Sequence, residues 1–310
     1  MRRIERSNRV YSYSAENEPC AQVAPGETVV IETKNAFGDQ TFEPGETLED
    51  LSLEGADPLT GPIYVESAEP GDTLAVHLEN IDLVGPGMQG VIPDFGILPW
   101  RSDVPLHFFT PEDGEITWLR GIRIPVRPNL GAIGVAPATG SIPSIWPGDH
   151  GGNMDTKYVC AGSTVLLPVF HPGALLVMGD CHQIQGDGEL CGVAPETDAE
   201  VTARLDVIKG KTIRRPRIVA ADRFMTIASG ETVEDAIRTA VRDAIDLLVE
   251  EKGLTDDEAY LLITVKADIE ICQVVDPLMT VRVAMDRRFY EELEPAPANT
   301  TSGGTTQEVR

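Results

Sequence analysis

The chain repeatedly sets a short alternating apolar run behind a Pro-Gly pair, and this pattern restricts the fold more than any other feature. Thr28–Thr33 follows Pro25-Gly26, and Thr73–Glu79 follows Pro70-Gly71. Alternation of apolar and polar residues suits a strand with one buried face. Pro-Gly makes the backbone turn between such strands, and Pro44-Gly45, Pro86-Gly87 and Pro147-Gly148 repeat the punctuation. The expectation is antiparallel β structure. His77 alternates with apolar neighbours and is expected on a strand face.

The same reading extends down the chain. Apolar runs at Thr164–Phe170 and Ala174–Met178 and the alternating run Glu200–Ile208 read as further strands. From Glu231 to Glu251 the period changes: Val233, Ile237, Ala240, Val241, Ala244, Ile245 and Leu248 recur at helical spacing, and Gly253 stops the run. Thr255 with Glu258 forms a capping box for a second helix through about Leu262. Ala267–Val275 reads as a closing strand. The expected fold is mainly β, built of β-sandwich or barrel-like modules, with a C-terminal α/β element. The divisions are an N-terminal extension at 1–19, a β body at 20–210 carrying the glycine-rich motifs, an α/β element at 211–293 and a disordered tail at 294–310, too poor in apolar groups to pack.

Charge narrows the partners. Fifty acidic against 25 basic residues give a formal net charge of −25, which repels nucleic acid and anionic lipid. The five cysteines are odd in number and scattered, with no C-x-x-C pair, so no disulfide framework is expected. No apolar run approaches a membrane span, and the basic N-terminus lacks the apolar core of a secretory signal. A cytoplasmic protein is expected. Trp100, Phe108, Phe109 and Trp118 concentrate the aromatic residues in one region, expected to pack as local core rather than as a pocket wall.

Chemistry-bearing residues concentrate between Gly179 and Glu196. Asp180, His182, Gln185, Asp187, Glu189 and Glu196 fall on one glycine-punctuated segment after an apolar run. A His among carboxylates is a competent ligand set for a zinc-like ion. Oxygen ligands alone would suit calcium, although the spacing is not that of an EF-hand. A second segment, His150-Gly-Gly-Asn153-Met-Asp155, sets a His, an amide and a carboxylate around two glycines. His-Gly-Gly serves an oxyanion in lipase-like enzymes, but no Gly-x-Ser-x-Gly elbow exists here. This segment is read as a second wall of the same site.

Together with Arg127-Pro128 through Ala136-Pro137, Leu167-Pro168-Val169, Gly173-Ala174, Gln273-Val-Val-Asp276, Gly61-Pro62-Ile63 and Glu69-Pro70-Gly71-Asp72, these motifs resemble the acetamidase/formamidase family over residues 20 to 285 or so. The resemblance implies a metal-dependent amidase of mainly β fold, usually a homo-oligomer. It implies cleavage of short aliphatic carboxamides, acetamide or formamide, to acid and ammonia, with zinc the first candidate cofactor and calcium the alternative. Carried onto this sequence, Asp155, Asp180 and His182 are assigned to the metal, Glu189 to proton transfer, His150 and Asn153 to substrate orientation, and Gln185, Gly186 and Asp187 to substrate binding. Asn35 stands where many members have Asp, and Gln183-Ile184 replaces small residues, which points to an altered pocket.

Two rival readings remain. Cys181 and Cys191 flank the central segment and could join Glu189 and Lys157 in a cysteine-nucleophile amidase. A non-enzymatic β-sandwich that binds a small ligand through calcium is the other.

Overall fold

The computed structural model describes residues 1–98 and 103–293. Trp100 and the tail at 294–310 lie outside the described residues. The first half is strand and turn: β1 (Arg2–Ile4), β2 (Arg9–Val10), β3 (Ser12–Ser14), β4 (Ala21–Val23), β5 (Glu27–Thr33), β6 (Leu59–Val65), β7 (Thr73–Gln89), β8 (His107–Phe109), β9 (Glu115–Trp118) and β10 (Ile122–Pro125). There follow β11 (Asn129–Gly134), β12 (Ser141–Pro143), β13 (Gly151–Asn153), β14 (Thr164–Pro168), β15 (Leu176–His182), β16 (Glu196–Ile208), β17 (Arg217–Val219) and β18 (Arg223–Gly230). The chain closes with α1 (Val233–Lys252), α2 (Asp256–Lys266), β19 (Ala267–Gln273), β20 (Met279–Asp286) and α3 (Arg287–Glu292).

The expected mainly β fold with a C-terminal α/β element is what the chain forms. One sheet of 16 strands follows the path β13-β11-β15-β16-β7-β14-β17-β18-β20-β19, and further strands pair beside it. Every pairing along that path is antiparallel. Within residues 1–19, β1 pairs with β5, β2 with β6 and β3 with β12. Alternation does its work in β5 and β16, whose residues alternate between core and partly exposed. β15 is buried along its whole length, which is why its sequence shows no alternation. The main core gathers Val29, Ile31, Val76, Leu78, Val165, Leu167, Val201 and Leu205. His77 sits on a strand face as expected, bonded to Thr164 Oγ1 at 2.8 Å.

The helical layer obeys its sequence signals. Thr232 caps α1 by accepting from the Asp235 N–H, and Gly253 ends it in the left-handed region at φ 68°. Ala236, Ala240, Ala244, Leu247 and Leu248 form its buried face, and this face lies across β18 and β20. Burying each leucine there contributes about 2 kcal/mol. The Thr255–Glu258 capping box is present, and α2 runs on to Lys266, four residues past the expected end. No helix among the described residues is long and apolar enough to cross a membrane.

One expected turn is absent. Pro86-Gly87 lies inside β7, not after it. The pairing with β16 shifts register between Glu196 and Asp198, opposite Met88 and Val84. Such a bulge leaves a ladder position open, and proline is tolerated there.

Candidate active site

The site begins with the period of β15. Asp180 and His182 are two residues apart and so share one face, while Cys181 between them points to the other and joins the main core. Register does the rest: His182 stands opposite Glu196 on β16 and opposite Asn129 on β11. The glycine-punctuated segment therefore leaves the sheet only at Gln183, since Gly179 through His182 are strand. On the other flank of β11, Ala132 pairs with Asn153 of β13, and this hairpin delivers Asp155. Gly131 lies beneath both carboxylates; a Cβ there would overlap Asp180 Oδ2 and Asp155 Oδ1. Only a glycine lets the two acids come together over this strand.

The C-terminal element closes the site. The Gly188 N–H donates to Cys272 O at 2.8 Å, and the Val274 N–H donates to Gly188 O at 3.2 Å. At the end of β19, Gln273 Oε1 accepts from the N–H groups of Val275 and Asp276 at 2.8 and 3.0 Å. This turn aims Asp276 at the site, where its Oδ2 accepts from Asn153 Nδ2 at 3.2 Å. Asn153 Oδ1 has no hydrogen-bond partner among the described residues.

These residues floor a cavity of about 280 Å³. Asp57, Asn153, Asp155, Asp180, His182, Glu189, Glu196 and Asp276 supply its polar surface, and Phe37, Leu51, Ile92, Phe95 and Val193 are among its apolar walls. His182 Nε2 faces three carboxylates: Asp180 Oδ1 at 3.2 Å, Glu196 Oε2 at 3.3 Å and Glu189 Oε1 at 3.9 Å. Two sets of ligand atoms, Asp155 with Asp180 and His182, and His182 with Glu189 and Glu196, each lie within 4.8 Å of one another, and all five residues are buried or nearly so. Asp57, Asp155, Asp180 and Glu189 all have positive φ. Non-glycine residues rarely adopt that region unless the surrounding fold holds them there, as it does at functional sites.

Crowded burial sets the electrostatics. Burial, with Asp180 close by, raises Asp155 to about 7. Burial first, then neighbouring carboxylates, pushes Asp57, Asp276, Glu189 and Glu196 well above the ordinary carboxylate range. Burial opposes the charge on His182, but Glu196 and Asp180 outweigh it and hold the imidazolium well past its usual range. Asp180 is the exception among the acids: burial disfavours its charge, yet His182 brings it below its ordinary value. A site with this many buried carboxylates and one imidazole is short of positive charge.

The structure brings Asn153, Asp155, Asp180, His182, Glu189 and Glu196 of the expected residues to one cavity, and leaves His150, Gln185, Gly186 and Asp187 outside its lining. His150 packs edge-on against Tyr13 at 4.5 Å between ring centroids, and burial lowers its pKa to about 4, so the ring is neutral. It lies behind the wall because β13 begins at the next residue and turns Asn153 inward instead. Gln185 is a support: its Nε2 donates to Asp155 O at 2.6 Å, and its Oε1 accepts from Asn129 Nδ2 at 2.8 Å. Asp187 is engaged by Arg282 and Lys157, and Gly186, which is not part of the lining, accepts from the Glu189 N–H at 3.3 Å. Asn35 and Gln183 are structural too, bonded to Asp198 and to Phe109 O. An Asp at position 35 would face Asp198 with like charge. Neither Cys181 nor Cys191 lines the cavity, and burial pushes the Cys181 thiol far above its usual range, so the sulfur reading has no nucleophile there.

Sequence reasoning missed Asp57, one acid of the ordinary acidic stretch Glu49–Asp57 with no His or glycine-rich motif beside it, and did not assign Glu196 or Asp276 a role. In the aromatic region, Phe108 packs with Phe37, Leu48 and Leu106 as local core, as expected, while Ile92 and Phe95 upstream of it form cavity wall.

A model of the acetamidase/formamidase family matches residues 5–146 and 138–287. A putative formamidase of Schizosaccharomyces pombe is 26% identical over 250 residues, which is 59% of this chain and 60% of that protein. An acetamidase of Mycolicibacterium smegmatis is 27% identical over 263 residues, 61% of this chain and 63% of that protein. The chain thus spans under two thirds of the length of these relatives. A crystal structure of acetamidase from Bacillus halodurans superposes with a TM-score of 0.91 at 34% identity, covering 94% of this chain and 99% of that one.

Proposed function

The chain belongs to the acetamidase/formamidase family, and from that premise we propose that it hydrolyses a primary carboxamide to the carboxylic acid and ammonia. The observation that carries the reading is the meeting of Asp155, Asp180 and His182 on a cavity floor with ligand atoms within 4.8 Å of one another. The names of the relatives make acetamide and formamide the first substrates to test.

The donor set fits a divalent cation, zinc first and calcium second. Asp155 Oδ1 is buried with no hydrogen-bond partner among the described residues, and a buried orphan acceptor of this kind is costly unless a cation or proton meets it. Asp155, Asp180 and His182 would hold the ion. When bound, it supplies Lewis acidity that polarises an amide carbonyl and makes water a competent nucleophile near neutral pH.

The chain's own groups account for the rest. Asn153 lines the cavity, and its buried Oδ1, without a hydrogen-bond partner among the described residues, accepts from the substrate's amide N–H and fixes its orientation. Asp276 holds the other end of that Asn side chain. Glu189, on the floor beside His182, moves a proton at Oε1 toward the leaving nitrogen, which must depart as ammonia. Apolar walls limit water around the reacting bond.

Free cysteines throughout favour a reducing, cytoplasmic setting. Exposed Leu261, Val265 and Ile269 on α2 and the edge strand β19 support assembly into a homo-oligomer. Ammonia release by the purified protein from a panel of primary amides tests the activity. A protein that releases none would overturn it.

A further inference from the structure

The cavity is larger and more apolar than the smallest amides need. The four non-hydrogen atoms of acetamide, at about 30 Å³ each on the scale of liquid water, fill roughly 120 Å³. The cavity offers about 280 Å³. The surplus admits about five further non-hydrogen atoms on the same scale. Its surface is not neutral in character: beyond the polar floor the walls are Phe37, Leu51, Leu53, Ile92, Phe95 and Val193. None of the described residues that line it is Lys or Arg.

The apolar wall is also held in place. The Phe95 ring packs where a Cβ on Gly192 would stand, and Gly192 has a positive φ of 73°. The Ile97 N–H donates to Leu190 O at 2.9 Å, and the Phe95 N–H donates to Ile92 O at 3.1 Å. The segment carrying Ile92 and Phe95 is therefore fastened to the loop that carries Glu189. A wall fixed relative to the reacting groups converts contact with a remote part of the substrate into orientation at the carbonyl.

We infer that the acyl group this site is built for is apolar and larger than acetyl, that of a branched aliphatic primary carboxamide. The inference rests on the amide-hydrolase reading above and adds the substrate class to it. Formamide and acetamide leave most of the apolar wall facing water. A carboxylate-bearing acyl group would enter a cavity lined by acids and meet no cation from the wall.

The test is kcat/KM for ammonia release by the purified protein across formamide, acetamide, propionamide, butyramide, isovaleramide and phenylacetamide, with succinamate beside butyramide. Each buried methylene is expected to raise kcat/KM about fourfold, so isovaleramide should exceed acetamide on the order of fiftyfold. Succinamate should fall at least roughly tenfold below butyramide. Phe95→Ala should compress the ratio of isovaleramide to acetamide. Cleavage of acetamide or formamide as efficiently as the larger amides would overturn the inference and leave amide hydrolysis standing, as would equal turnover of succinamate and butyramide. Ammonia from no member of the panel would overturn both.

Discussion

His182 Nδ1 lies 3.2 Å from Gln185 Oε1, and the far end of that amide decides what the contact is. Gln185 must present its NH₂ to Asp155 O at 2.6 Å, because a backbone carbonyl only accepts. Its Oε1 therefore faces His182, and the Nδ1 carries the proton. In the neutral ring the Nε2 lone pair then points among the carboxylates of Asp180, Glu196 and Glu189, an arrangement that suits a cation. Partners behind a ligating His commonly set its tautomer and affinity. Gln185→Leu should weaken divalent-metal binding by about 10- to 100-fold in a competition titration against a chelator. Unchanged affinity would remove Gln185 from this role.

Gly131 is the second point of leverage. Because a Cβ there would overlap carboxylate oxygens of both Asp180 and Asp155, Gly131→Ala should separate the two acids while the strand persists. The expected result is loss of bound metal with an unchanged far-UV circular dichroism spectrum. Full metal occupancy in the variant would contradict the assigned ligand set.

Glu189 divides ligand from proton carrier. Glu189→Gln should retain metal and lose about 10²- to 10⁴-fold in kcat, the range for a positioned acid–base group. Loss of the metal with the activity would instead make Glu189 a ligand, in the set it shares with His182 and Glu196.

Away from the site, Glu251 at the end of α1 ties the helical layer to the sheet. It accepts from Lys211 at 2.6 Å, from Arg217 at 3.4 Å and from the Tyr290 hydroxyl. Burial opposes its charge, but these partners outweigh it and lower its pKa. A carboxylate with a depressed native pKa contributes stability above its unfolded pKa and loses it as pH falls through the native value. Glu251→Gln should therefore cost about 1 kcal/mol at pH 7, with the difference closing below about pH 4. Urea melts across that range measure it. A deficit independent of pH would assign the effect to packing.

Much of this was legible in the chain because local rules agreed with the tertiary structure. The strands at Thr28–Thr33 and Glu200–Ile208 alternate since each has one buried face, and the α1 stop at Gly253 needs only a left-handed residue. The clustering of Asp180, His182 and Glu189 was visible because strand and loop lie close in sequence. Asp57 and Asp276 were not, since the fold brings them in from chain positions more than 90 residues from His182 in opposite directions; no local spacing records such a convergence. His150 misled for a related reason: its neighbours Asn153 and Asp155 do reach the cavity, but strand direction turns His150 onto Tyr13.

The central claim is that a cation held by Asp155, Asp180 and His182 is needed for amide hydrolysis. The direct measurement is ammonia release as divalent metal is titrated back into protein stripped by a chelator, with bound metal determined on the same samples. Activity that vanishes on stripping and returns in proportion to bound metal is the predicted result. Undiminished ammonia release from protein carrying no metal would contradict it.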